Sequence, residues 1–169
     1  DHPEARAKAA IANGIRQLSA SNLEEAEVIL DDLVAEYPLW AEARNKRATL
    51  YFLQNRDAMS VIDIHRTLEL EPRHFGALAG FAQICVRNGA PDAARRALLR
   101  LLAINPGAPG IAEAAAALAD DGRLQFGMQY PLAAYGQSAS QAKLNFWRTE
   151  RMPVPMEYLS DESLVELLD

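Results

Sequence analysis

Three prolines recur at a fixed spacing of 34 residues along the chain. Pro38, Pro72 and Pro106 each follow a segment whose apolar residues are spaced as on one face of a helix. Proline cannot continue a helix, and it biases the residue before it away from helical backbone angles. The constant spacing therefore predicts three helical units of equal length.

Counting back from the prolines gives repeats at 7–40, 41–74 and 75–108. Two positions of each repeat hold small residues, where a larger side chain would keep two helices apart. The small residues are Gly14, Ala48 and Ala82 in the first helices and Ala26, Ser60 and Ala94 in the second helices. Asn22 and Glu25 predict a capping box at the start of the first repeat's second helix. We therefore expect each repeat to be a pair of closely packed antiparallel helices.

This pattern resembles the tetratricopeptide repeat, a pair of antiparallel helices whose period is also 34 residues and which ends in a proline. The resemblance covers about 102 of the 169 residues. Residues 41–80 are similar to small repeat proteins of bacteria and of bacterially derived organelles. The resemblance implies an all-α fold, a right-handed α-solenoid of three helix pairs that binds other proteins.

Repeats one and two depart from the family pattern at two positions that are usually large and apolar. The fourth and seventh positions hold Ala10 and Asn13 in repeat one, Arg44 and Arg47 in repeat two, and the conforming Leu78 and Phe81 in repeat three. Terminal repeats are often irregular, and repeat one is a terminal repeat. We therefore expect it to be the least regular of the three.

The repeats are flanked by three further segments. Residues 1–6 form an N-terminal arm, and residues 109–122 predict a capping helix that covers the last repeat. Residues 123–169 lose the period, and we expect an irregular tail with a short terminal helix. The tail carries apolar side chains that should contact an apolar surface. These are Phe126, Tyr130, Tyr135, Phe146, Trp147, Tyr158, Leu164, Leu167 and Leu168.

Two surfaces could accept the tail: the chain's own repeats or a partner protein. Repeat three has a net charge of +3 and residues 109–169 a net charge of −5, so the acidic tail could lie against the basic repeat. Because the tail leaves the far end of the repeats from the predicted groove, we favour a partner. The pattern from Leu164 to Leu168 indicates a short amphipathic helix that docks into an apolar groove.

We find no residue set that predicts catalysis, and we expect no metal, cofactor or small-molecule substrate. The sequence has no glycine-rich phosphate loop and no nucleophile motif, and its single cysteine, Cys85, is expected to be a packed thiol. The net charge of −6 argues against sequence-independent binding of nucleic acid. The longest alanine-rich apolar run, residues 114–119, is too short to span a membrane.

Resemblance to the tetratricopeptide family places a partner-binding groove on the first helix of each repeat. The corresponding residues are Ile11, Ile15, Leu18, Asn45, Thr49, Phe52, Ala79, Gln83 and Val86. The alternative is that these residues lie under the chain's own tail. The carboxylate clamp of chaperone-binding members does not match, since Ile11, Ile15, Gly76 and Gly80 replace its basic and amide residues.

The leading hypothesis is a non-catalytic scaffold, a subunit or assembly factor of a larger protein complex, that binds other protein subunits through the repeats and the tail. The alternative is a free adaptor that recognises a short apolar peptide in the groove. The chain begins with Asp1 rather than Met, so we expect it to be a processed product or an excerpt. The sequence does not name the compartment; the resemblance to repeat proteins of bacteria and bacterially derived organelles favours a mitochondrion or chloroplast, or a bacterial compartment, after removal of a targeting segment.

Overall fold

The computed structural model of the protein describes residues 3–121 and 160–169, and every regular element in them is an α-helix. The helices are α1 (Pro3–Ser19), α2 (Leu23–Glu36), α3 (Ala41–Leu53), α4 (Asp57–Leu70), α5 (Phe75–Arg87), α6 (Pro91–Ile104), α7 (Ile111–Asp121) and α8 (Asp161–Glu166). The predicted all-α fold of successive helix pairs is confirmed. Helix α1 begins at Pro3, inside the segment that the sequence assigned to an N-terminal arm.

The described helices group into two compact units that divide between Pro72 and Arg73. In the first unit α1 packs on α2, α2 on α3 and α3 on α4, and α1 also contacts α3. In the second unit α6 is the central helix, and it contacts α5, α7 and α8.

The small residues of each repeat lie at the contact between its two helices. Each of the six is buried, from Gly14 and Ala26 in the first pair to Ala82 and Ala94 in the third. In the second pair the Ser60 hydroxyl donates to the carbonyl oxygen of Ala48 at 2.7 Å. A side chain can therefore bond the facing backbone directly, which requires helices too close for any larger residue at these positions.

The turn inside each helix pair repeats its backbone conformation as well as its length. Ser21, Asn55 and Gly89 have positive φ angles of 61°, 57° and 69° and occupy the same position in the three repeats. The next N–H then donates to a carbonyl five residues back in each repeat. These bonds are Asn22 to Gln17 at 2.9 Å, Arg56 to Tyr51 at 2.8 Å and Ala90 to Cys85 at 2.8 Å. The pattern is that of a Schellman cap, which satisfies carbonyls at the helix end.

The same turn shows why the predicted capping box is wrong. A capping box needs the N–H of Asn22 for the Glu25 side chain, but that N–H closes the Schellman turn onto Gln17. The Asn22 side chain makes no cap to α2 and instead donates from Nδ2 to Gln17 Oε1 at 2.8 Å.

In the second repeat a buried charge network takes the place of the family's large apolar residues. Asp63 of α4 is 1% exposed, and it receives two hydrogen bonds from Arg47 of α3, from Nε at 2.7 Å and from Nη2 at 2.9 Å. Arg47 Nη1 also donates to Asp31 of α2 at 3.0 Å, and Arg44 Nη1 lies 3.5 Å from Asp63 Oδ1. One guanidinium therefore connects three helices.

The pKa of Arg47 shows that this network is stable in its charged, paired form. Burial alone lowers the pKa of the Arg47 guanidinium, but hydrogen bonding and attraction from Asp63 outweigh burial and raise the pKa above its ordinary value. The pair is bidentate, a geometry in which both hydrogen bonds are charge-assisted. Removing one partner would leave the other charge buried without its main counter-ion, which is the expensive way to break such a pair.

We predict that exchanging the residues at the left-handed turn position shifts stability in opposite directions. Ser21→Gly removes the steric cost of a positive φ and should raise the free energy of unfolding by about 0.5–1 kcal/mol. Gly89→Ser should lower it by about 1–2 kcal/mol, although a Cβ there meets no atom within 4 Å. Urea unfolding followed by circular dichroism measures both changes. A destabilised Ser21→Gly variant would contradict the assigned turn.

We predict that Arg47→Leu destabilises the first unit by about 3 kcal/mol, because Asp63 then stays buried without its bidentate partner. The double variant Arg47→Leu/Asp63→Leu should recover most of that loss, since an apolar pair replaces a buried ion pair at little cost. Lys8→Ala is the control and should leave the free energy of unfolding unchanged, because the Lys8–Glu4 pair is exposed to solvent. Additive losses in the double variant would show that the two side chains act independently.

Candidate protein-binding surfaces

In the first unit, helix α1 carries three of the predicted groove residues, and these three differ in how far they are buried. Ile11 is 8% exposed and belongs to the apolar core with Leu30 and Leu50. Leu18 is half-buried against the same core, whereas Ile15 is 39% exposed. A core-facing residue cannot contact a partner directly. Ile15 and the outer part of Leu18 are therefore the surface that α1 can present.

Helix α3 contributes one exposed, one half-buried and one buried residue to the predicted groove. Asn45 is buried, and its backbone carbonyl accepts a hydrogen bond from the Thr49 hydroxyl at 3.0 Å. Thr49 is exposed and Phe52 is half-buried. Helix α3 contacts α1, and a shared partner-binding surface on these two helices stays a prediction.

In the second unit the predicted groove residues are on α5. Gln83 is exposed, and Ala79 and Val86 are half-buried. The other side of α5 supplies core residues, including Leu78 and Phe81, which are almost fully buried. Helix α5 is therefore amphipathic, and its outward side is small and weakly polar.

Several charged side chains of the first unit are engaged within it. The Tyr51 ring centroid lies 5.6 Å from Cζ of Arg47 and 4.6 Å from Cζ of Arg56, within the range of cation–π contact. Burial raises the pKa of the Tyr51 hydroxyl. Arg56 Nη1 and Gln54 Nε2 donate to Glu27 at 2.7 and 2.8 Å, and these hydrogen bonds lower the pKa of Glu27. These charges hold the unit together, so they do not form a basic patch of unpaired cations.

The C-terminal helix α8 docks on α6 through its leucines. Leu164 is fully buried, and Leu167 and Leu168 are each 7% exposed. Burying three such side chains stabilises the contact by roughly 1.5–3 kcal/mol each. A helix this short is not stable alone in water. Docking on α6 therefore stabilises the helical form of α8.

Polar contacts fix the ends of α8 on α6. The N-cap residue of α6, Ala90, has no capping side chain, and the Asp161 carboxylate accepts from the N–H of Asp92 at 2.9 Å and of Ala93 at 2.7 Å. At the other end Arg96 Nη2 lies 2.6 Å from Asp169 Oδ1. Arg100 Nη1 donates to the carbonyl oxygen of Leu168. Because these α6 residues are spaced about four apart, they follow one face of α6, and α8 runs in the same direction.

The Asp161 carboxyl caps the start of α6, although Asp161 lies 68 residues from Ala93 in the sequence. Burial raises its pKa, while the N–H groups of Ala93 and Asp92 act in the opposite direction. A negative charge at a helix N-terminus interacts favourably with the partial positive charge there. The contact is thus a cap whose two hydrogen bonds offset part of the cost of burying a carboxylate.

The preference for a partner protein as the surface that accepts the tail is wrong for residues 160–169. They lie on the chain's own α6, whose Arg96 and Arg100 bind the acidic C-terminus. The physical reason is the charge complementarity between repeat three and the tail, together with the uncapped start of α6. The other predicted tail contacts lie outside the described residues. They are Phe126, Tyr130, Tyr135, Phe146, Trp147 and Tyr158.

The docked helix also bears on whether the tail covers the predicted groove. Helix α8 packs on α6, the second helix of its pair, and Gln83 on α5 stays exposed beside it. The described part of the tail therefore leaves the outward side of α5 accessible.

No group of three or more His, Cys, Asp and Glu side chains within residues 3–121 and 160–169 is placed to hold a metal ion. Cys85 is buried in the second unit. No helix in that part of the chain combines the length and apolar character needed to cross a membrane.

Comparison with known proteins supports the repeat assignment. No family model matches the chain. A protein of Rhizobium etli named as a TPR repeat-containing protein is 43% identical over 77 residues, which are 46% of this chain and 38% of that protein. The match thus spans well under half of the relative's length. The 34-residue period, the observed helix pairs and this relative agree that the chain is built from tetratricopeptide-type repeats.

Proposed function

We propose that the protein is a non-catalytic interaction scaffold, a subunit or assembly factor of a larger protein complex. The observation that carries the proposal is the partial exposure of Ile15, Leu18 and Phe52 on the first helices of the first unit. Each of these side chains contributes apolar area that a protein partner could bury at roughly 25 cal/mol per Å². Thr49 adds an exposed hydroxyl at the same surface.

Charge supports a protein partner over nucleic acid. The net charge of the chain is −6, and repeat one alone has a net charge of −4. Phosphate groups would be repelled by an acidic first repeat, whereas a partner with basic and apolar side chains would be attracted. A tetratricopeptide-type repeat in the Rhizobium etli relative is in keeping with a scaffold, although its name states no partner.

We predict that Ile15→Lys and Thr49→Lys each release the chain from its native assembly without unfolding it. Both side chains are exposed, so a lysine at either position stays in water and places a charge in the contact. Native size in extracts from the source cells, measured by gel filtration and immunoblotting, should fall from that of the assembly to that of the free protein.

Val28→Lys is the matched control, because Val28 is 63% exposed on α2, the second helix of the same pair. This variant should keep the assembly size. Wild-type chain that already runs at its own size would reject the subunit proposal and favour an adaptor that binds short peptides. Equal release by all three variants would mean that the first helices are not the contact surface.

A further inference from the structure

The face of α6 under α8 is a complete docking site for a short acidic helix. At the start of α6, the backbone N–H groups of Asp92 and Ala93 bind the Asp161 carboxylate. Farther along, the guanidinium groups of Arg96 and Arg100 bind the C-terminal end of the docked segment. We propose that this face also accepts α8 of a second copy of the chain, so that two copies associate by exchanging their C-terminal helices. This inference concerns α6 and α8 and does not rest on the proposed function.

A second copy is the occupant whose fit is already visible. Its α8 brings the same Asp161 carboxylate, the same buried Leu164 and the same Leu168 carbonyl that α6 binds within one chain. An exchanged helix therefore makes every contact of the original one and adds no unpaired group. Exchange of an identical element is a low-cost route to a dimer for this reason.

The length of chain between α7 and α8 permits the exchange. Residues 122–159 separate the two helices, and a chain reaches at most about 3.3–3.6 Å per residue. The covalent reach of this stretch thus exceeds roughly 120 Å, several times the length of α6. A second copy's α8 competes with the chain's own α8 for the same face of α6, and it binds there when docking within one chain is disabled.

Complementation between two disabled full-length chains tests the proposal. The receiver variant carries Leu164→Asp and Leu168→Asp, which disable its α8 and leave its α6 intact. The donor variant carries Arg96→Glu and Arg100→Glu, which reverse the charge of its α6 and leave its α8 intact. Sedimentation velocity of each alone at about 100 µM should give a monomer, because neither copy has both halves. The equimolar mixture should give a complex of twice the chain mass.

Matched variants identify the contact in that complex. Adding Asp161→Ala to the donor should weaken association at least about 10-fold, whereas Asp161→Asn should keep it, since asparagine caps helices about as well as aspartate. Adding Arg95→Ala to the receiver should leave association unchanged, because Arg95 is exposed on α6 next to Arg96. Circular dichroism confirms that every variant stays helical.

Two results would overturn the proposal. A mixture that remains monomeric up to about 1 mM, with both variants folded, would show that α8 binds α6 only within one chain. A complex that forms but is insensitive to Asp161→Ala would show that the copies meet through another surface.

Discussion

The contact between Ser60 and the backbone of Ala48 shows the constraint on which the helix pairs depend. A hydroxyl that bonds a facing carbonyl at 2.7 Å leaves no space for a side chain larger than serine. Packing interiors tolerate added methylenes poorly, so the position selects glycine, alanine or serine. Gly14 gives the same indication, because a Cβ there would lie 3.2 Å from Leu30 Cδ2. The large residues around the contact can then interdigitate. Because the two helices lie close together, the turn between them is short.

The sequence was sufficient for the features that repeat and insufficient for those that occur once. Helix pairs follow from the period because every repeat must satisfy the same close contact and end at the same proline. Arg44 and Arg47 look like defects in that pattern. The structure shows them bound to Asp63, and two arginines on a buried helix face could have indicated a buried acidic partner, since an unpaired buried charge is too costly. The sequence did not identify which carboxylate it would be.

Contacts between distant residues were the least predictable part. The Asp161 cap binds the N–H groups of Asp92 and Ala93, which precede it by 69 and 68 positions in the sequence. No local pattern encodes such a pairing. Two sequence features did point toward it: the alanine N-cap of α6, which lacks a side-chain acceptor, and the opposite charges of repeat three and the tail. The argument for a partner protein failed because it relied on where the tail leaves the repeats. The opposite charges of repeat three and the C-terminal residues favour docking on the chain's own α6.

The position of α8 separates two kinds of surface on the second unit. Helix α6, the second helix of its pair, is occupied by a segment of the chain itself, while the outward side of α5 keeps Gln83 exposed. We propose that the two helices of this repeat serve different partners. A contact on α6 depends on Arg96, Arg100 and a helix end, which select an acidic helix. A contact on α5 depends on small side chains that admit a close approach. Binding at one helix need not displace what is bound at the other, because α8 already occupies α6 without covering Gln83.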